Sequence, residues 1–110
     1  MRVPLPDALR TRLSALDSPA PARDAATIAV VRDGERGLEA FLMRRQSSMS
    51  FAAGMYVFPG GSVHEADYAP VAWFGPNAES WAQKFSCEPD RAHALVVSAI
   101  RETFEETGVL

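Results

Sequence analysis

Apolar positions in this chain fall into short runs whose period changes along its length. Leu9, Leu13 and Leu16 recur at i, i+4 and i+7, the stripe of a short surface helix. Pro6 and Asp7 start that helix, and Ser18-Pro19-Ala20-Pro21 breaks it. Thr27-Ile28-Ala29-Val30-Val31 is a β-branched run and predicts a buried strand. Asp33-Gly34-Glu35-Arg36-Gly37 reads as a turn, and Glu39-Ala40-Phe41-Leu42-Met43-Arg44 as a second strand closing a hairpin. Gln46 to Ala53 is polar and small and reads as loop. Met55-Tyr56-Val57-Phe58 predicts a third short strand, ended by Pro59-Gly60-Gly61. The chain contains no internal repeat.

The period then becomes helical. Asn77 is a candidate N-cap for a short helix through Phe85, with Trp81 and Phe85 spaced i, i+4. Trp73 and Trp81 read first as core anchors, with stacking on a base or ring as the alternative. A last helix begins at Glu88 or Asp90, with Pro89 in its first turn, and runs to about Thr107. Gly108 is a suitable C′ residue, since glycine takes the left-handed conformation at little cost.

Composition narrows the choice of function. A chain of 110 residues, 47% hydrophobic and 23% charged, is one small globular domain rather than a disordered chain or a disulfide scaffold. Eleven basic and 14 acidic residues give a net charge of −3, no footprint for a nucleic acid polymer. Ten of the basic residues are Arg, the better partner for bidentate phosphate contacts. The lone Cys87 forms no intrachain disulfide and reads as an idle thiol in a reducing compartment. No apolar run approaches the ~20 residues of a membrane span, and no secretory signal opens the chain. A cytoplasmic location and no membrane partner are expected. His64 and His93 lack a second His or Cys at ligand spacing and read as surface or packing residues.

The chemistry sits in Arg101-Glu102-Thr103-Phe104-Glu105-Glu106-Thr107-Gly108-Val109. On a helix at ~100° per residue, Glu102, Glu105 and Glu106 fall within an arc of about 100°, with Arg101 at its edge beside Glu105. Val96, Val97, Ile100 and Phe104 gather on the other side. Three like charges at i, i+3 and i+4 repel, and they stand at the end of the helix where the dipole disfavours anions. A hard divalent cation, Mg²⁺ or Mn²⁺, relieves both penalties. A solvated acidic face is the alternative. Phe58-Pro59-Gly60-Gly61 is by itself a tight turn, and glycines there let backbone come close to a phosphate or a metal.

Together the two pieces resemble the Nudix hydrolases, whose signature is G-x5-E-x7-R-E-U-x-E-E-x-G-U with U apolar. Gly61 matches the first glycine; Arg101, Glu102, Glu105, Glu106, Gly108 and Val109 match the second half. Thr103 replaces an apolar residue. Asp67 replaces the first Glu, with Glu65 nearby as a substitute. Tyr68 to Ile100 stand where seven residues are usual, so the chain is similar to a Nudix subfamily with an insertion inside the box. That subfamily includes peroxisomal diphosphatases of coenzyme A and its acyl esters. Gly54 and Arg44 match a coenzyme A-associated segment; Ser50, Arg45 and Gln46 depart from it.

The resemblance implies an α/β fold, a Nudix-type α/β/α sandwich with a mixed sheet, of which this chain is the N-terminal portion. Residues 1–24 are expected to be a lead-in and linker, and 25–110 a partial domain with its insertion at about 68–90, outside the core sheet. The implied reaction is hydrolysis of a small-molecule diphosphate joined to another group, with nucleotide, sugar-nucleotide, coenzyme A and dinucleotide substrates all open. Glu102, Glu105 and Glu106 would hold Mg²⁺ or Mn²⁺. Arg101, Glu105 and Glu106 are the implied catalytic residues, Arg101 by orienting Glu105. Arg44, Gly60, Gly61 and Asp67 are the implied substrate contacts. The general base is open between a Glu of the box and a carboxylate of a later loop. As the alternative to an enzyme, the chain is an incomplete Nudix-like binding or interaction module. A truncated domain is expected to be inactive by itself and to leave its apolar helix face uncovered, with a homodimer as one way to cover it.

Overall fold

The computed structural model describes Pro4 and residues 6–14, 21–45 and 54–109. It comprises α1 (Asp7–Ser14), β1 (Ala25–Thr27), β2 (Val31–Gly34), β3 (Gly37–Ala40), β4 (Met43–Arg44), β5 (Tyr56–Val57), β6 (Gly60–Ser62), a 3-10 turn (Glu65–Tyr68), α2 (Ala78–Phe85) and α3 (Pro89–Thr107). The strands form three two-stranded ladders, β1–β6, β2–β3 and β4–β5, all antiparallel. The α/β class holds. The mixed sheet of the expected sandwich has no parallel pair among the described residues. Gln46 to Ala53, including Ser50, lie outside them, as does Leu16.

The β-branched run is two strands rather than one. Its first half pairs with β6, Thr27 opposite Gly60, and Ile28 N–H donates to the Pro59 carbonyl at 2.9 Å. Its second half pairs with β3, where Phe41 N–H donates to the Val30 carbonyl at 2.8 Å. The chain changes partners between Ile28 and Val30, which breaks the ladder there. In the β2–β3 hairpin Arg32 and Glu39 face each other across the strands as a 2.8 Å ion pair. Both side chains are well exposed, so the pair adds little stability.

Both longer helices end where local chemistry ends them. The Asn77 side chain accepts from Ser80 N–H at 2.9 Å, capping α2. Pro89 occupies the first turn of α3, and Gly108 closes it with φ 74°, its N–H donating to the Phe104 carbonyl at 2.8 Å. Asn77→Ala is expected to cost about 1 kcal/mol of stability through loss of that cap. Urea denaturation followed by circular dichroism checks this; an unchanged midpoint refutes it.

Small residues make up the buried core: Ala82, Ala92, Ala94, Ser98 and Thr103, with Pro59 and Asp67. α3 therefore does not pack chiefly through the wide apolar face read from the sequence. Ile100 and Phe104 are exposed, and Val96 and Val97 are half-buried. Alanine and serine on the opposite side let β6 and the 3-10 turn come close. Buried Thr103 satisfies its hydroxyl by donating to the Ala99 carbonyl at 2.7 Å. Segment 69–88 contributes a loop and α2 and no strand. It is moored to α3 by His93 Nε2, 2.9 Å from the Ala69 carbonyl, and by ring contact between Trp73 and His93. Trp73 donates to the Pro76 carbonyl and Trp81 stacks on Phe85, so both indoles anchor. Asp24 ties the start of β1 to Arg91 of α3. No described helix is long and apolar enough to cross a membrane.

Candidate functional site

Arg101 organises the site. Its guanidinium donates from Nε to Asp67 Oδ1 and from Nη2 to Asp67 Oδ2, both at 2.9 Å. Nη2 also donates to the Ser62 carbonyl at 3.1 Å, and Nη1 to Glu102 Oε1 at 2.8 Å and Glu105 Oε2 at 3.3 Å. One planar fork thus joins β6, the 3-10 turn and two acids of α3. Only arginine offers donors in that geometry.

Asp67 is 2% exposed. Besides Arg101, its Oδ2 accepts from His64 N–H at 2.7 Å, pinning the 3-10 turn. The Arg101 hydrogen bonds hold the Asp67 carboxyl below its ordinary range, against the opposing effect of burial. The same pairing raises Arg101 above its ordinary value. Expected among the substrate contacts, Asp67 instead has both oxygens engaged and faces protein. It positions Arg101.

The sign of this pairing fixes an acid limit. A carboxyl whose folded pKa is depressed contributes stability that is complete above its unfolded value of 3.8. That contribution is lost as pH falls below that value through the folded one. Melting temperature is expected to drop across that window in the wild type, and less steeply in Asp67→Asn. Parallel pH profiles for the two proteins would contradict this.

Glu106 points the other way along α3. Its Oε2 accepts from Gly60 N–H at 3.3 Å. Burial pushes its carboxyl above the ordinary value, Gly60 N–H opposes this, and the neighbouring negative charge of Glu102 adds to it. The positive charge of Arg45 counters it. A Cβ on Gly61 would collide with the Glu102 carboxylate, and one on Gly60 with the Ala26 carbonyl. The two glycines therefore bring strand backbone against the acids.

Beside them opens a cavity of about 620 Å³, lined by Thr27, Arg44, Arg45, Phe58, Gly60, Gly61 and Glu106 among others. Arg44 donates to the Gly54 carbonyl at 3.4 Å. The structure thus brings Arg44, Gly60, Gly61 and Glu106 to one cavity. It places Glu102 against Gly61, and Arg101 and Asp67 behind them. Glu105 is set aside: its side chain is 56% exposed and turned to Arg101.

Sequence reasoning gave no role to Arg45 or to the Ser62 carbonyl. Arg45 follows Arg44 at the end of a predicted strand, and that doublet was a usable signal. A carbonyl acceptor leaves none. Among the described residues no three acidic, His or Cys side chains stand together closely enough to hold an ion as they are arranged. The nearest approach to such a site is the Glu102–Glu106 pair facing glycine backbone.

The sequence matches no protein-family model. Among solved structures, the chain is similar to a NUDIX hydrolase from Alicyclobacillus acidocaldarius, with 34% identity and a TM-score of 0.59 over 82% of the chain. The fold is of the Nudix type. The match spans 38% of that neighbour's length. α3 is the acid-bearing helix, and Glu102 and Glu106 on it meet the Gly60-Gly61 strand.

Proposed function

We propose that the chain carries the acid-bearing portion of a Nudix hydrolase acting on a small-molecule diphosphate. The observation that carries this is Glu102 and Glu106 side by side against Gly60-Gly61, at the edge of a cavity that also holds Arg44 and Arg45. Two adjacent carboxylates, one resisting ionisation, form a donor set that suits Mg²⁺ or Mn²⁺. Glu102 and Glu106 would hold the ion, and Glu105 would join them on releasing Arg101. When bound, such an ion neutralises phosphoryl charge and lowers the pKa of water.

The chain's own residues do the rest. Arg44 and Arg45 line the same cavity as Glu106, and their positive charge suits a diphosphate. Gly60 and Gly61 let strand backbone lie directly against the acids, and Gly60 N–H holds the Glu106 carboxylate. Arg101, held by Asp67 and Ser62, keeps Glu102 in place beside Gly61. A coenzyme A-like substrate is one member of this class, supported by the match of Arg44 and Gly54 to the segment seen in such enzymes.

A second reading has one observation in its favour: Arg101 engages both Glu102 and Glu105, as in a module that binds the diphosphate without turning it over. Incubation with coenzyme A, a sugar nucleotide and a dinucleotide, with and without Mg²⁺ or Mn²⁺, separates the two. Product formation that a chelator stops supports hydrolysis. Diphosphate binding without turnover supports the module, and neither binding nor turnover rejects both.

A further inference from the structure

The acids of α3 stand where a helix holds itself least well. Glu105 and Glu106 lie in its final turn, where carbonyls lack intrahelical donors and the dipole opposes negative charge. Repulsion among Glu102, Glu105 and Glu106 adds to this. Left to local forces the turn would fray, and fraying would carry Glu106 away from Gly60 N–H.

Two threonines counter it. Thr103 Oγ1 donates to the Ala99 carbonyl at 2.7 Å, and one turn later Thr107 Oγ1 donates to the Thr103 carbonyl at 2.6 Å. The same Thr107 hydroxyl accepts from Val109 N–H at 3.1 Å, past the end of the helix. Donor and acceptor at once, it joins backbone outside α3 to backbone inside it. Thr103 is buried, so the inner anchor lies in the packed section of the helix. Glu105 and Glu106 fall between the two anchors. Helix propensity does not account for the pair: threonine is a middling helix former, and a hydroxyl bonded four residues back slightly destabilises a helix.

We propose that Thr107, with Thr103 behind it, is a positioning residue of the acid site, its hydroxyl clamping the last turn of α3 so that Glu106 stays on Gly60 N–H. Its bearing on metal rests on the reading of Glu102 and Glu106 as the ion-holding acids. Thr107→Val keeps the shape of the side chain and removes both hydrogen bonds; Thr107→Ser keeps the hydroxyl. In the metal-free chain, amide exchange followed by NMR is expected to quicken about fivefold at Gly60 and Val109 in Thr107→Val, the scale of one lost hydrogen bond, and to stay unchanged in α2. Mn²⁺ binding by calorimetry is expected to weaken about fivefold in the same variant, because the turn is less often in place. Thr107→Ser is expected to restore both.

Unchanged exchange at Gly60 in Thr107→Val overturns the proposal. So does equal quickening in α2, which marks a general loosening of the fold, and so does a serine variant that behaves like the valine one. A wild type that binds no Mn²⁺, while Gly60 still responds to Thr107→Val and recovers in Thr107→Ser, removes the metal-dependent reading and leaves the clamp standing.

Discussion

Arg101→Ala is expected to lose about 3–5 kcal/mol of stability, the usual cost of removing one partner of a buried ion pair. Asp67 would remain almost fully enclosed with its charge uncompensated, the Ser62 carbonyl would lose a donor, and Glu102 and Glu105 would lose their common clamp. A small core rarely supplies more than ~5 kcal/mol in total, so the variant is expected to unfold at a much lower urea midpoint. Arg101→Lys keeps the charge and loses the fork, and it falls between wild type and alanine. The double variant Arg101→Ala/Asp67→Ala is expected to be less damaged than the sum of the single variants, because the second change removes the stranded charge. Urea titrations of the four proteins measure the coupling. Additive losses would show that the two side chains do not act as one unit.

Glu106→Gln is expected to move function and stability in opposite directions. On the proposed hydrolase reading, turnover should fall by about 10³-fold, the scale of removing one group that stabilises transition-state charge. The metal-free fold should gain stability, because an acid that burial and Glu102 hold above its ordinary pKa costs free energy when ionised. The gain is complete above the folded pKa of Glu106. It fades as pH falls through that value towards the unfolded one, where wild-type Glu106 is neutral in both states. Thermal melts in a chelator at neutral and acid pH, beside a kinetic assay, test both halves. A variant that melts lower than wild type at neutral pH, or one that retains turnover, would mean that Glu106 is not the strained acid of the site.

The sequence disclosed most where the determinants are local. The ends of α2 and α3 were legible because Asn77, Pro89 and Gly108 act on the backbone beside them. The acidic arc followed from helical spacing alone. Which side of α3 packs was not legible. Periodicity marks Val96, Ile100 and Phe104 as the apolar face, but the packed side is set by what lies opposite. There, a glycine strand and a buried aspartate take small residues. The strand boundaries slipped for a related reason. Thr27 to Val31 is one run by composition and two strands by partner, and partners are distant in sequence. Asp67 was picked out by its resemblance to a box residue. Only its burial and its two oxygens on Arg101 show that it braces the site from behind, leaving the cavity to Arg44, Gly60 and Gly61.

The contact between Asp67 and Arg101 also separates two design variables that a sequence runs together. The path from Tyr68 to Ile100 leaves and returns beside this clasp, so the spacing of the acids from the glycine strand is set there and not by the length of the loop between. Lengthening a closed loop costs only about 0.6 kcal/mol per doubling. Insertions in the loop between the 3-10 turn and α2 are therefore expected at modest expense, whereas α2 is held to the core through buried Ala82. That loop can be rewritten for a new ligand while the acids stay in register.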